Sequence, residues 1–382
     1  MEQPVEETRL LEVIERLQEN DSSFTEVELC LEQTPYFSHE VFGRRLPYLT
    51  DEEFFQIIED LLLALEENRT VREVLLDWAL LKLLPFDRAR RLLRAIGRLP
   101  ELRSFKLDTK DVSTYQTVTL SALVALLEGA TRLESLSIVP VGSLRVDTSI
   151  DSLVTAIRSR SDLILIELAP FERLEESENI LDPLLDASGN RPLRGLSIGI
   201  TSSSRSRLSV PLLSVAALKR LLASSKELVF LRLNDLGLNN DHCLVLETNL
   251  ADHPIAAIDV LDNNTTIKAQ GRQALLRLTR KKPSLVGVHI GRLDKDEAIG
   301  LHVEIHRNQC GRAALQPDSE TVLGWLSYFA KLSITPTDHR IRYYDHEIPL
   351  SAIFETLVEN PIAVRRLQET QNYQLYVESL TS

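Results

Sequence analysis

Apolar residues in this chain follow two alternating rhythms. In LVFLRLNDLGL, Leu228 to Leu238, leucines stand at relative positions 1, 4, 6, 9 and 11. Short runs of the same LxxLxL form begin at Phe24, Val71, Leu102, Leu133, Leu163, Leu193, Leu228, Ile255 and Leu285. Successive starts lie 47, 31, 31, 30, 30, 35, 27 and 30 residues apart. Random clustering of apolar residues does not hold such a spacing, so the chain is built from repeats. Only the first interval is too long for one repeat, and it carries an insertion or an irregular turn.

Before each strand the apolar period changes to that of a helix. Leu123, Leu126 and Leu127 stand at i, i+3 and i+4, as do Leu218, Leu221 and Leu222. Leu153, Ala156 and Ile157, and Leu181, Leu184 and Leu185, repeat the spacing. From the last apolar helical residue to the next strand start is six residues in Leu65 to Val71, Ile96 to Leu102, Leu127 to Leu133, Ile157 to Leu163 and Leu222 to Leu228. A constant return path places each strand in register beside the last. Strands joined by crossover helices pair in parallel, and helices are wider than strands. The expected architecture is therefore an α/β horseshoe solenoid, with strands lining the concave side and helices the convex side. Positions 1, 4 and 6 of each strand point into the core, and positions 3, 5 and 7 face the concave side.

The repeats resemble leucine-rich repeat proteins of the ribonuclease-inhibitor type, over roughly Val5 to Gly291. That family extends the strand to LxxLxLxxN, with the asparagine bonding backbone in the turn. Here the ninth position is Asn263 in one unit and Lys110, Val141, Phe171, Thr201, Leu236 or Leu293 in others. The C-terminal stretch, with NQCGR at Asn308 to Arg312, then Trp325 and Phe354, resembles the tail of diatom leucine-rich repeat proteins. The domains expected are an acidic N-terminal cap with an irregular first repeat over 1–67, leucine-rich repeats over 68–300 and a helical cap over 301–382.

Composition adjusts this picture. Of 382 residues 43% are hydrophobic and only 5% aromatic, which suits layers filled by leucine. The net charge of −13 is concentrated at one end, because residues 1–67 carry 18 Asp/Glu against 4 Lys/Arg. That end does not suit nucleic acid or an anionic membrane. Cys30, Cys243 and Cys310 make no disulfide framework, which points to a reducing compartment. MEQPVEETRL has no basic segment followed by an apolar run, so no signal peptide is expected, and the longest apolar runs, such as Leu61 to Leu65, are too short for a membrane span to be expected. The expectation is a cytoplasmic monomer.

No catalytic motif stands out, and neither enzyme activity nor a cofactor is expected. His302, His306 and Cys310 stand at i, i+4 and i+8, a spacing that would align zinc-ligand types on one helix face, but a fourth ligand is lacking. A capping helix with surface histidines explains the same residues, and no metal site is assigned. RLPYLTDEEFFQIIEDLLLAL followed by Trp78 resembles an F-box, the mark of a ubiquitin-ligase substrate adaptor, yet Trp78 also falls inside a repeat. RLTRKKP, Arg277 to Pro283, is assigned to a solvated helix-to-strand connection. TSSSRSRLS, Thr201 to Ser209, reads as an inserted loop.

The concave face carries the functional expectation. Small residues and mixed charge dominate positions 3 and 5, with Leu165 and Phe230 exposed among them. A face of this kind suits a protein or peptide partner with an apolar anchor, not a phosphate backbone. The expected contact set is Leu165, Glu167, Phe230, Arg232, Asn234, Asp259 and His289.

Overall fold

The computed structural model describes residues 5–29, 51–108, 117–138, 143–172, 179–189, 191–200, 211–261, 263, 266–291, 293, 294, 297, 298, 300, 301, 304, 305 and 308. The chain divides into two compact units, Met1–Leu238 and Asn239–Ser382.

The first unit begins with α1 (Val5–Gln18), β1 (Glu26–Leu29), α2 (Asp51–Glu67), β2 (Glu73–Asp77), α3 (Trp78–Leu83) and α4 (Phe86–Gly97). It continues with β3 (Ser104–Asp108), β4 (Thr117–Thr119), α5 (Leu120–Gly129), β5 (Ser135–Ile138), β6 (Ser143–Arg145) and α6 (Ile150–Arg158). It ends with β7 (Leu165–Glu167), β8 (Phe171–Glu172), α7 (Asp182–Gly189), β9 (Gly195–Gly199), α8 (Val215–Ser224) and β10 (Phe230–Asn234). In the second unit are α9 (Asn240–Asn249), β11 (Ala257–Asp259), α10 (Ala269–Lys281) and β12 (Gly287–His289).

Each strand named by the LxxLxL pattern is present, and each begins at position 3 of its run. In the first unit they form a parallel sheet in the order β1-β2-β3-β5-β7-β9-β10, and β11 pairs in parallel with β12 in the second. The architecture is thus α/β, with repeated strand–helix units. A smaller parallel sheet, β4-β6-β8, forms where three consecutive strands of the first unit run on toward their helices.

Positions 1, 4 and 6 make the core as their period requires. Leu133, Leu136 and Ile138 are buried, and so are Leu228, Leu231 and Leu233. Each such leucine removed from water contributes about 1.5–3 kcal/mol. The strands supply every second residue, and the helices complete the layer with Leu123, Leu126, Leu127, Leu218, Leu221 and Leu222.

Polar side chains then tie each repeat to its neighbour at both ends of the helices. At the N-termini, Ser214 caps α8 through the Ala217 N–H and also donates to Asp182 of α7 (Oγ–Oδ2 2.5 Å). Asp147 accepts from the N–H of Ser121 at 2.9 Å, and Asn240 Oδ1 accepts from Lys268 and Gly271 N–H groups at 2.8 and 3.1 Å. At the C-termini, Arg160 donates to the Leu127 and Glu128 carbonyls, and Arg191 to those of Ile157, Arg160 and Ala187. Asn308 places its Nδ2 within 3.0, 3.0 and 2.6 Å of the Thr279, Lys282 and Leu285 carbonyls. These contacts satisfy helix-end groups that would otherwise be buried without partners.

Asn68 does the same job early in the chain. Its Nδ2 donates to the Leu17 carbonyl at 3.0 Å, while its Oδ1 accepts from the Thr70 and Val71 N–H groups at 2.9 and 3.0 Å. The residue is fully buried. Asn68→Ala should therefore lower stability by about 1–3 kcal/mol, the cost of leaving buried backbone groups unsatisfied. A urea melt of the variant, compared with Arg69→Ala, checks it.

The kept asparagine of the ninth position, Asn263, is buried and its Nδ2 donates to the Val260 and Leu261 carbonyls, both at 3.1 Å. RLTRKKP differs from its expected place. Helix α10 runs through Lys281, so Arg277 to Lys281 are helical. Arg277 and Lys281 pair with Glu247 of α9 at 2.8 and 3.1 Å, and Arg280 pairs with Glu304 at 3.0 Å. The hydrogen bond from Arg277, joined by Lys281, holds the Glu247 carboxyl below its usual range. The apolar spacing of Ala274, Leu275 and Leu278 carries the helix through this stretch, and neighbouring acids offset its charge.

Candidate functional site

Positions 3 and 5 of β7, β9 and β10 lie side by side in register. Leu165 pairs with Gly195 and Gly195 with Phe230, while Glu167 pairs with Ser197 and Ser197 with Arg232. Gly199 and Asn234 continue the set. In β10 burial alternates, with Leu231 and Leu233 buried and Phe230, Arg232 and Asn234 half-buried. Five of the seven expected contact residues, Leu165, Glu167, Phe230, Arg232 and Asn234, are thus brought onto one sheet face of the first unit.

The apolar pair is less exposed than the sequence implies. Leu165 and Phe230 are half-buried because both lean over the strand between them. A methyl group added at Gly195 would come 2.3 Å from Leu165 Cδ1 and 3.7 Å from Phe230 Cδ1. Glycine here removes the side chain that would hold these two apart. The result is a low apolar step whose floor is the β9 backbone. Arg232 carries its guanidinium over the Phe230 ring, 5.2 Å from the centroid, which favours a planar cation on the aromatic face.

Glu167 is also held in place. Ser137 Oγ, one strand away on β5, donates to Glu167 Oε2 at 2.5 Å. Ser137 is only 6% exposed, although its position faces the open side. A short side chain between longer neighbours, Lys106 and Glu167, is shaded by them, which position parity does not reveal. Asn234 has its Oδ1 buried with no hydrogen-bond partner among the described residues.

Asp259 and His289 belong to the second unit. They are register partners on β11 and β12, with His289 Nδ1 3.6 Å from Asp259 Oδ2. His289 is largely exposed, whereas Asp259 is buried and its Oδ1 accepts from the Leu261 N–H at 3.1 Å. Asp259 thus serves its own turn as well as the pair.

Reading by position missed the small residues of β9. Gly195, Ser197 and Gly199 are all buried despite facing the open side. Three small residues at alternate positions of GLSIG were the available signal. Also missed was the acidic start of the face, where Glu26 of β1 and Glu73 of β2 are register partners and both exposed.

The other chemical candidates resolve as follows. His302, His306, Cys310 and TSSSRSRLS lie outside the described residues. Among the described residues no group of three or more His, Cys, Asp and Glu is arranged to hold a metal ion. Cys243 is buried, and burial pushes its thiol up to about 12, so it stays protonated and unreactive near neutral pH. Helix α2 and Trp78 are parts of the repeat: Trp78 follows β2 directly and is 1% exposed. Among the described residues no helix is long and apolar enough to cross a membrane. No protein-family model matches the chain, and no curated protein is significantly similar to it.

Proposed function

We propose that this chain is a leucine-rich repeat solenoid of the ribonuclease-inhibitor type that works without catalysis, as a cytoplasmic scaffold taking a protein partner on its open sheet face. The observation that carries the reading is the step formed by Leu165, Gly195 and Phe230. Two large apolar side chains are left partly in water on a face whose neighbours are mostly small or polar. Burying them against a partner yields hydrophobic free energy that the fold leaves unused. Arg232 beside Phe230 adds a residue type that often anchors interfaces. The acids along the same face oppose a phosphate backbone as occupant.

Affinity capture from a native lysate, read by mass spectrometry, supplies a partner, and binding is then measured with the purified chain. Phe230→Ala should cost at least about 2 kcal/mol of affinity, the scale of an interface hot spot. Circular dichroism should be unchanged. Lost stability with unchanged affinity would mean that Phe230 only packs against its own sheet, and the reading would fall.

A further inference from the structure

Charge on the open sheet face of the first unit is uneven. Positions 3, 5 and 7 of its strands carry Glu26, Glu28, Glu73, Asp108 and Glu167 against Lys106 and Arg232, with Asp77 buried at the same side. Lys106 is already matched by Asp108, Nζ to Oδ2 2.5 Å. Glu26 and Glu73 are exposed register partners on adjacent strands, where like charges repel. Some acids on the helical side of the same unit are paired with arginines. Glu59 faces Arg88 and Arg91, Glu66 faces Arg98, and Asp186 faces Arg220. The exposed acids of the sheet face, Glu26 and Glu73, stand at the end away from the apolar step.

We propose that the occupant of this face is an extended basic segment of a protein partner, laid across the strands. Its Lys or Arg side chains meet Glu26, Glu73 and Glu167, and one aliphatic side chain sits over Gly195 between Leu165 and Phe230. This deepens the interaction reading above and rests on it. The sheet sets the spacing of such a segment. From β2 to β9 is four strand steps in the sheet order, or about 19 Å at about 4.8 Å each. An extended chain rises about 3.3 Å per residue, so about six residues separate the first basic side chain from the apolar one. Glu167 lies one strand from β9, which places a second basic residue within about two of the anchor. Neutralising Glu26 and Glu73 relieves a repulsion that the free protein bears, so the charge contributes to affinity and to partner choice.

A random-peptide display library selected on the full chain tests this, with enriched peptides synthesised, labelled and titrated by fluorescence polarisation. The expected peptides carry net positive charge, with an aliphatic residue about six positions from a basic one. Their binding should weaken as salt rises. It should fall about tenfold or more in the Glu26→Lys, Glu73→Lys double variant and likewise in Phe230→Ala. Both glutamates are exposed, so the double variant keeps the test valid even where Phe230→Ala loosens the fold. Neutral or acidic peptides that still lose binding on Phe230→Ala would overturn the basic segment and leave the face in use. Basic peptides indifferent to both variants would overturn this inference and the underlying reading together. No enrichment over a blocked surface would overturn the extended segment alone.

Discussion

Leu231→Ala and Leu136→Ala should each cost about 2–5 kcal/mol of stability, whereas Ser137→Ala should cost only about 1 kcal/mol. Leu136 and Leu231 are fully buried at position 4 of their strands, with buried neighbours at positions 1 and 6. Truncation removes a side chain that both the sheet and the helices touch, and a close-packed layer collapses only partly around the gap. Repeats offer little freedom to relax, because β5 is held in register by a strand on either side and β10 by β9. Ser137 lies one residue along from Leu136 and is nearly as buried, but its contribution is a hydrogen bond to the half-buried Glu167. Urea melts of the three variants check the order. Equal destabilisation by Ser137→Ala and Leu136→Ala would overturn the division of each strand into a core side and a face side.

Gly97→Ala should destabilise the first unit by about 1–3 kcal/mol, the range of overpacking in a rigid site. A methyl group on Gly97 would lie 2.2 Å from the carbonyl oxygen of Leu126, and one on Gly129 would lie 2.7 Å from the carbonyl carbon of Gly97. The obstacle is backbone in both cases, so no rotamer change relieves it. Helices α4 and α5 would have to separate, pulling apart the layer that buries Leu93, Ile96, Leu123 and Leu126. Alanine normally favours a helix over glycine, so the expected sign is opposite to that of propensity alone. Gly300→Ala is the control, since nothing lies within 4 Å of its added methyl group. An unchanged melting midpoint for Gly97→Ala would show that the two helix ends do not approach this closely.

Much of the fold is legible in residue order because the side chains that make it are periodic. An apolar residue, most often leucine, at positions 1, 4 and 6 of a strand, renewed every 27 to 35 residues from Val71 onward, specifies strand, core side and pairing partner together. The six-residue return from helix to strand specifies parallel register, and β2, β3, β5, β7 and β10 obey it. The candidate face was legible only as a list of positions. Its relief was not, because exposure of a face residue depends on its neighbours one strand away. Those neighbours are about 30 residues distant in sequence. Leu165 and Phe230 stand half-buried because Gly195 between them lacks a side chain, and Ser137 is hidden because Lys106 and Glu167 are long.

Residue order by itself thus determined the LxxLxL strands, most of the helical stretches before them and which side of each such strand is core, since these follow from a local period of two or of 3.6 residues. Strands β4, β6 and β8 and the end of α10 came only from the tertiary structure. Contacts between repeats were decided only by the tertiary structure. It set Asn68, Arg160, Arg191 and Asn308 on the carbonyls of helix ends in the preceding repeat or connection. It also brought Gly97 against Leu126. None of these pairs has a sequence signature, because each joins residues of different chemistry that share no period. Their partners are chosen by which backbone groups come to lie within reach once the leucine layers have stacked.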